Sequence, residues 1–168
     1  MQIDFGPDLK AEPDNGVIRM MAGGSRDHAR VQADIPIALG SRLRGSGCRS
    51  CKSDMAILTH DASVGYPDVT IDCGQPDDSG GDRYLSAPRV IVEVLSPSTR
   101  TIDLGSKTTE YQALSSVEAI VFVDPEAETL IVSARSKAGW FYSLPARRDV
   151  LFPTLNLSIP DEEIFARD

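Results

Sequence analysis

The stretch Arg-Val-Ile-Val-Glu-Val-Leu-Ser-Pro-Ser-Thr, residues 89–99, decides the fold class. Its first seven residues are mostly β-branched or aliphatic, which is typical of a strand buried on both faces of a sheet. The Ser-Pro-Ser-Thr segment then favours a turn into a helix, which we predict over residues 101–114. The sequence therefore places a central buried strand directly before a helix.

On either side of this strand, the pattern alternates between strands and helices. A helix is predicted over residues 26–43, with Ser25 as its N-cap and a kink or early break at Pro36. Further strands are predicted at residues 16–21, 54–59, 68–73, 119–123, 129–134 and 140–144. This order predicts an α/β domain in which helices flank a mixed central β-sheet.

Length and composition indicate one compact domain. The chain has 168 residues, and no apolar stretch approaches the roughly 18 residues that a transmembrane helix needs. The first residues lack the basic region and apolar run of a secretory signal, so we predict a cytoplasmic protein with no membrane association. Three cysteines cannot all pair, and in that location they are expected to be reduced thiols.

The charge is unevenly distributed along the chain. A net charge of −8 argues against a protein that binds nucleic acid through its overall charge. Residues 16–53, however, contain seven basic side chains and only two acidic ones. A local basic surface and a set of ordinary solvated arginines are both consistent with this pattern.

Glu93 interrupts the apolar run of the central strand. An unpaired buried carboxylate costs several kcal/mol, so it needs a cation, a hydrogen-bond network or a proton. Asp68 begins another predicted core strand directly after Pro67, and pairing of the two strands would bring both carboxylates together. Two carboxylates are the usual protein contribution to a Mg²⁺ site, so we expect them within about 5 Å of each other.

Lys107 lies on the helix that follows the Glu93 strand. If this helix folds back on the sheet, the ammonium could orient a hydroxide or offset charge that develops on a phosphate. Asp103 and Lys107 are also spaced i,i+4 and could form an ordinary surface ion pair. The residues alone leave both interpretations open.

The order of these residues resembles the Uma-two family of restriction endonucleases, within the PD-(D/E)xK nuclease superfamily. The resemblance rests on Pro67-Asp68, on residues 93–99, on Asp103 with Lys107 and Tyr111, on residues 121–125, and on His28 at the start of the first core helix. It implies a restriction-endonuclease-like PD-(D/E)xK core over residues 16–168. A divergent N-terminal segment, residues 1–15, precedes this core.

The resemblance also implies a site and an activity. Asp68 and Glu93 would bind Mg²⁺ or Mn²⁺ together with the Val94 carbonyl, Lys107 would be the catalytic lysine, and His28 would join the catalytic set. The implied function is a metal-dependent endonuclease that hydrolyses phosphodiester bonds of nucleic acid, with DNA as the expected substrate. The alternative is a non-catalytic module of the same fold that binds nucleic acid or a partner protein.

Aromatic residues near the C-terminus suggest a subunit contact. Residues 140–144 and 151–155 place several large apolar side chains beyond the nuclease core elements, and such residues often form the centre of an interface. Members of the resembled family commonly form homodimers, so a homodimer is expected. These side chains could instead cover the sheet of their own chain.

Overall fold

The computed structural model describes residues 11–14, 17–20, 24–60, 63–75, 84–145, 149–152 and 155–166. Of the segment predicted to be divergent, residues 1–15, only residues 11–14 are described, and the rest of that prediction lies outside the described residues. Within the described part of the chain, no helix has the length and apolar character needed to cross a membrane.

Up to Val94, the described residues form seven strands and one long helix. They are β1 (Ala11–Asp14), β2 (Val17–Met20), α1 (Arg26–Arg42), β3 (Arg49–Lys52), β4 (Ile57–His60), β5 (Ser63–Gly65), β6 (Val69–Asp72) and β7 (Pro88–Val94). The second half continues with α2 (Arg100–Ile102), a π-helical turn (Asp103–Lys107), α3 (Thr108–Ala113), β8 (Ala119–Asp124), β9 (Thr129–Ser136), β10 (Gly139–Ser143), β11 (Val150–Phe152), β12 (Leu157–Ile159) and α4 (Glu162–Phe165).

Six of these strands form the central sheet, in the order β10-β9-β8-β7-β6-β3. The β7–β8 pair is parallel, and the other neighbouring pairs are antiparallel. The sheet is therefore mixed, as predicted. The remaining strands form three small two-stranded pairs, so the strand predicted at residues 54–59 pairs with β5 rather than with the central sheet.

The central strands β7 and β8 are buried on both faces of the sheet, which is why they are so apolar. One face packs against α1 through a core that includes Val31, Ile35 and Leu39. The opposite face carries a second core that includes Tyr111 of α3 and Phe122 of β8. Because each strand residue meets one of these two layers, a charged residue in β7 is enclosed by protein.

Helix α1 is continuous for 17 residues. Ser25 caps its first turn, because its Oγ accepts a hydrogen bond from the His28 backbone N–H at 3.2 Å. The predicted early break at Pro36 is wrong, since the helix continues to Arg42. Ile35 and Leu39 are buried on either side of the proline, and their packing holds the helix against the sheet.

Two of the three cysteines form a disulfide, so the expectation of reduced thiols is wrong for Cys48 and Cys73. Arg49 pairs with Asp72 in the antiparallel β3–β6 register, and this pairing places the two cysteines opposite each other. Their Cα atoms are 4.1 Å apart, although 25 residues separate them in the sequence. Cys51 is a free thiol.

Candidate metal and catalytic site

Asp68 and Glu93 face each other across two neighbouring strands. Val69 pairs with Val92 in the antiparallel β6–β7 register, so the next position along places Asp68 opposite Glu93. The Asp68 backbone N–H points to Glu93 Oε2 at 3.5 Å, and the Val94 N–H donates to Asp68 Oδ2 at 2.7 Å. The strand pairing that we expected therefore brings both residues to one point.

Both carboxyl groups are buried, with 3% of Glu93 and 7% of Asp68 exposed. Burial raises the pKa of Glu93 to about 8, although the nearby Lys107 ammonium opposes this rise. Burial also raises the pKa of Asp68, against the lowering effect of the hydrogen bond from the Val94 N–H. The ionised forms of these two acids therefore lack sufficient compensating charge within the protein.

Lys107 lies beside Glu93 and is mostly buried. Its Nζ is 3.6 Å from Glu93 Oε1 and 3.5 Å from Asp103 Oδ1, and 16% of its side chain is exposed. The i,i+4 pair with Asp103 does form, but it forms inside the protein, where 3% of Asp103 is exposed. The pair with Asp103 is therefore a buried pair rather than an ordinary surface pair, and the ammonium is shared between two carboxylates.

Tyr111 contacts the same oxygen of Glu93 as Lys107 does. Its hydroxyl donates a hydrogen bond to Glu93 Oε1 at 2.9 Å, and 1% of the residue is exposed. Gly65 leaves room for this hydroxyl, because a Cβ at that position would lie 3.1 Å from the oxygen. Tyr111 fixes the orientation of the carboxylate in the way that outer groups orient metal ligands.

Asp68 is oriented by two residues of α1. Gln32 donates from Nε2 to Asp68 Oδ1 at 2.8 Å, and His28 Nε2 lies 3.7 Å from Asp68 Oδ2. Sequence reasoning selected His28 but missed Gln32. The available signal was its position four residues after His28, which places both side chains on one face of the helix.

The π-helical turn Asp103–Lys107 sets the direction of the lysine. Thr108 closes this turn by donating from its Oγ1 to the Asp103 carbonyl at 2.6 Å. Such turns are uncommon and occur frequently at functional sites, where they redirect side chains of a helix. Here the turn connects α2 to α3, whose residue Tyr111 also contacts Glu93.

The donor set fits a divalent cation. Asp68, Glu93 and Asp103 surround Lys107, so when all are ionised the cluster has an excess of two negative charges. Buried charge of this size needs a partner, and carboxylate oxygens are the ligands that Mg²⁺ and Mn²⁺ prefer. Asp68 and Glu93 are the residues that could hold such an ion.

A second acidic group lies elsewhere on the protein. One ligand atom each from Asp149, Asp161 and Glu162 lie within 4.8 Å of one another. Glu162 is exposed and the other two are partly buried, so water can solvate these acids.

The sequence of the chain matches a known protein family over most of its length. The sequence profile of the family described as "Uma2: Putative restriction endonuclease" matches residues 1–160. The chain belongs to the Uma2 family. Membership in Uma2 supports a nuclease function.

Two proteins are similar to this Uma2 chain. An uncharacterized Synechocystis protein, slr1290, is 33% identical over 99 residues, which are 58% of this chain and 52% of that protein. The chain thus spans about half the length of this curated relative. A solved structure from Anabaena variabilis, described as "a putative nuclease belonging to DUF820", has a TM-score of 0.74 at 17% identity, covering 93% of the Uma2 chain and 89% of its own. This likeness shows that the two share a fold.

Proposed function

We propose that the protein is a metal-dependent endonuclease that hydrolyses phosphodiester bonds, with DNA as its substrate and Mg²⁺ or Mn²⁺ as its cofactor. The observation that carries this proposal is the excess of buried carboxylate around Lys107. Glu93 lies within the buried, apolar part of β7 after Arg89, and its cost in stability has a reason if the residue binds an ion.

Asp68 and Glu93 are the proposed ligands, and the Val94 carbonyl is the proposed third protein ligand. When bound, a divalent cation would lower the pKa of a water molecule and offset charge on the phosphate. Tyr111 donates a hydrogen bond to one oxygen of Glu93, and Gln32 donates one to an oxygen of Asp68. These two hydrogen bonds fix the orientation of the carboxylates.

Lys107 is the proposed residue that orients the attacking hydroxide. Its position between Glu93 and Asp103 restricts its motion, which favours one geometry at the reacting phosphate. His28 approaches the same site from α1, at 3.7 Å from Asp68, and we assign it to the catalytic set as a group that accepts or relays a proton.

We also propose a cytoplasmic homodimer. Phe141, Tyr142 and Leu144 are at least half exposed at the edge of the sheet formed by β10, which supports a subunit contact there. Trp140 instead packs against the core and under the Arg135 guanidinium. For this residue, the alternative that the side chain covers the sheet of its own chain is correct. Light scattering tests the dimer, since a monomer mass of 18.2 kDa at all concentrations would contradict it.

A cleavage assay tests the enzymatic function. Supercoiled DNA, linear duplex, single-stranded DNA and RNA are incubated with Mg²⁺, Mn²⁺ or EDTA, using wild type, Glu93→Ala and Asp68→Asn. We expect metal-dependent cleavage by wild type and none by the two variants. Asp161→Asn is the matched control, because it removes a carboxylate from the solvated acidic group. Binding of nucleic acid without cleavage in any metal would favour the non-catalytic module.

A further inference from the structure

A cleft of about 600 Å³ lies at the C-terminal end of α1, away from the carboxylate site. Its walls are the end of this helix with the following loop, the start of β3, and the residues after β6. Arg44 and Arg49 line the cleft, and none of its lining residues in the described part of the chain is acidic. The described lining of the cleft therefore carries two positive charges and no negative one, on a protein whose net charge is −8.

Neither arginine in the cleft is neutralised by a described carboxylate. Arg44 and Arg49 are exposed and form no ion pair among the described residues, whereas Arg42 is paired with Glu163 at 2.6 Å. Asp72 is the residue opposite Arg49 in the β3–β6 pair. Its carboxylate accepts backbone hydrogen bonds from Gly74 and Ala87 instead, at 3.1 and 2.9 Å.

The backbone of the cleft is accessible and its walls are joined. Gly45 and Gly47 adopt positive φ values of 78° and 79°, and open space surrounds the position where each Cβ would lie. A ligand can therefore approach the main chain closely at these two glycines. The disulfide between Cys48 and Cys73 connects the β3 wall to the residues after β6.

The cleft and the carboxylate site lie at opposite ends of β6. Asp68 precedes this strand and Cys73 follows it, five residues later, which corresponds to about 16 Å at about 3.3 Å per residue. A DNA duplex rises about 3.4 Å per base pair, so this distance spans about five base pairs. A duplex that lies along β6 would therefore reach from Asp68 to the cleft.

We propose that this cleft binds the phosphate backbone of the nucleic acid, about five base pairs from the cleaved bond. The identity of the ligand rests on the proposed nuclease function, and the cleft adds a positioning site away from the carboxylates. Arg44 and Arg49 each contact a backbone phosphate, and the glycine N–H groups are available to the same oxygens. Since the contacts are to phosphate, they act on any sequence.

Salt-dependent binding tests the cleft. A fluorescein-labelled 24-base-pair duplex is titrated in EDTA at several salt concentrations, and fluorescence anisotropy gives the slope of log K against log [salt]. Each lost phosphate contact reduces this slope by about 0.9, so Arg44→Gln/Arg49→Gln should lower it by nearly two units. The charge-retaining double variant Arg44→Lys/Arg49→Lys should keep most of the slope. Lys137→Gln, at the exposed turn before β10, should leave it unchanged.

Cleavage kinetics separate this proposal from the proposed function. We expect Arg44→Gln/Arg49→Gln to raise KM for a long duplex without changing kcat, and its melting temperature to stay near that of wild type because both side chains are exposed. If this variant cleaves DNA with the salt slope and KM of wild type, the proposal for the cleft is wrong and the nuclease function stands. If the variant has a reduced slope but wild type cleaves nothing, the cleft binds nucleic acid and the proposed nuclease function is wrong. A wild type that binds no duplex would overturn the cleft as well.

Discussion

Asp68 lies opposite Glu93 across the antiparallel β6–β7 pair, with its backbone N–H 3.5 Å from Glu93 Oε2. The site therefore depends on strand register. A slip of one residue would turn every side chain of β7 to the other face and move Glu93 from the α3 side into the core beneath α1. The apolar residues that alternate with Glu93 prevent this slip, since they fill both cores.

The pKa of Glu93 predicts a pH-dependent stability in metal-free protein. The folded state holds the Glu93 proton up to about pH 8, while the unfolded chain releases it near the ordinary value of 4.5. Between these values the folded state binds more protons, so its stability falls as pH rises. Thermal melts in EDTA from pH 5 to pH 8 should show a falling melting temperature that is flatter in Glu93→Gln. Equal slopes in both proteins would contradict this assignment.

Divalent cations should stabilise the folded protein. A ligand that binds only the folded state adds about 2.7 kcal/mol at one hundred times its Kd. We expect Mg²⁺ and Mn²⁺ to raise the melting temperature of wild type and of Asp161→Asn. The melting temperature of Asp68→Asn should not change when either ion is added. If Asp161→Asn lost the response and Asp68→Asn kept it, the ion would occupy the solvated acidic group.

Tyr111→Phe should weaken the site without unfolding the protein. The phenyl ring still fills the core, but Glu93 Oε1 loses its hydrogen bond. Loss of such an outer contact lowers metal affinity or activity by about 10- to 100-fold. Calorimetric titration with Mn²⁺ and cleavage rates measure the effect, and Tyr84→Phe, at a partly exposed position, should match wild type.

Lys107→Ala should separate catalysis from metal binding. If the ammonium orients the hydroxide, its loss should reduce kcat by about 100-fold or more. Removing a positive charge beside Glu93 should leave Mn²⁺ binding intact or strengthen it. A variant with wild-type cleavage would restrict Lys107 to its ion pair with Asp103.

The disulfide makes a separate prediction about stability. Closing a loop of 25 residues stabilises a fold by about 3 kcal/mol. For a domain of this size, Cys73→Ser should lower the melting temperature by about 6 to 12 °C, whereas Cys51→Ser should have little effect. Thiol titration of unfolded, unreduced wild type should detect one thiol, and three thiols would contradict the pairing.

The sequence was most informative for the central strand. The apolar run of β7 predicted a central strand, and Glu93 within it predicted a site. Two features escaped prediction because they depend on contacts between distant elements. The pairing of β3 with β6 brings the two disulfide cysteines together, and Gln32 reaches Asp68 only because the first half of α1 lies beside the start of β6.

The environment of Lys107 shows a further limit of sequence reasoning. Spacing identified the pair with Asp103, but burial depends on how the helix packs on the sheet. The π-helical turn has no hydrophobic period of its own, so residues 101–114 were expected to form one regular helix. The structure divides that region into α2, the turn and α3.

That π-helical turn also constrains how the gene can change. An α-helix has 3.6 residues per turn, so a residue four positions later lies slightly past one full turn. In the wider π turn, a residue four positions later lies slightly short of one full turn. Across Asp103, Lys107 and Tyr111 the two drifts offset each other, and all three side chains remain on the Glu93 side. Inserting one codon between Lys107 and Tyr111 would instead rotate Tyr111 by about 100°, away from Glu93. Insertions should therefore be rarer in this short segment than in the surface loops of related genes.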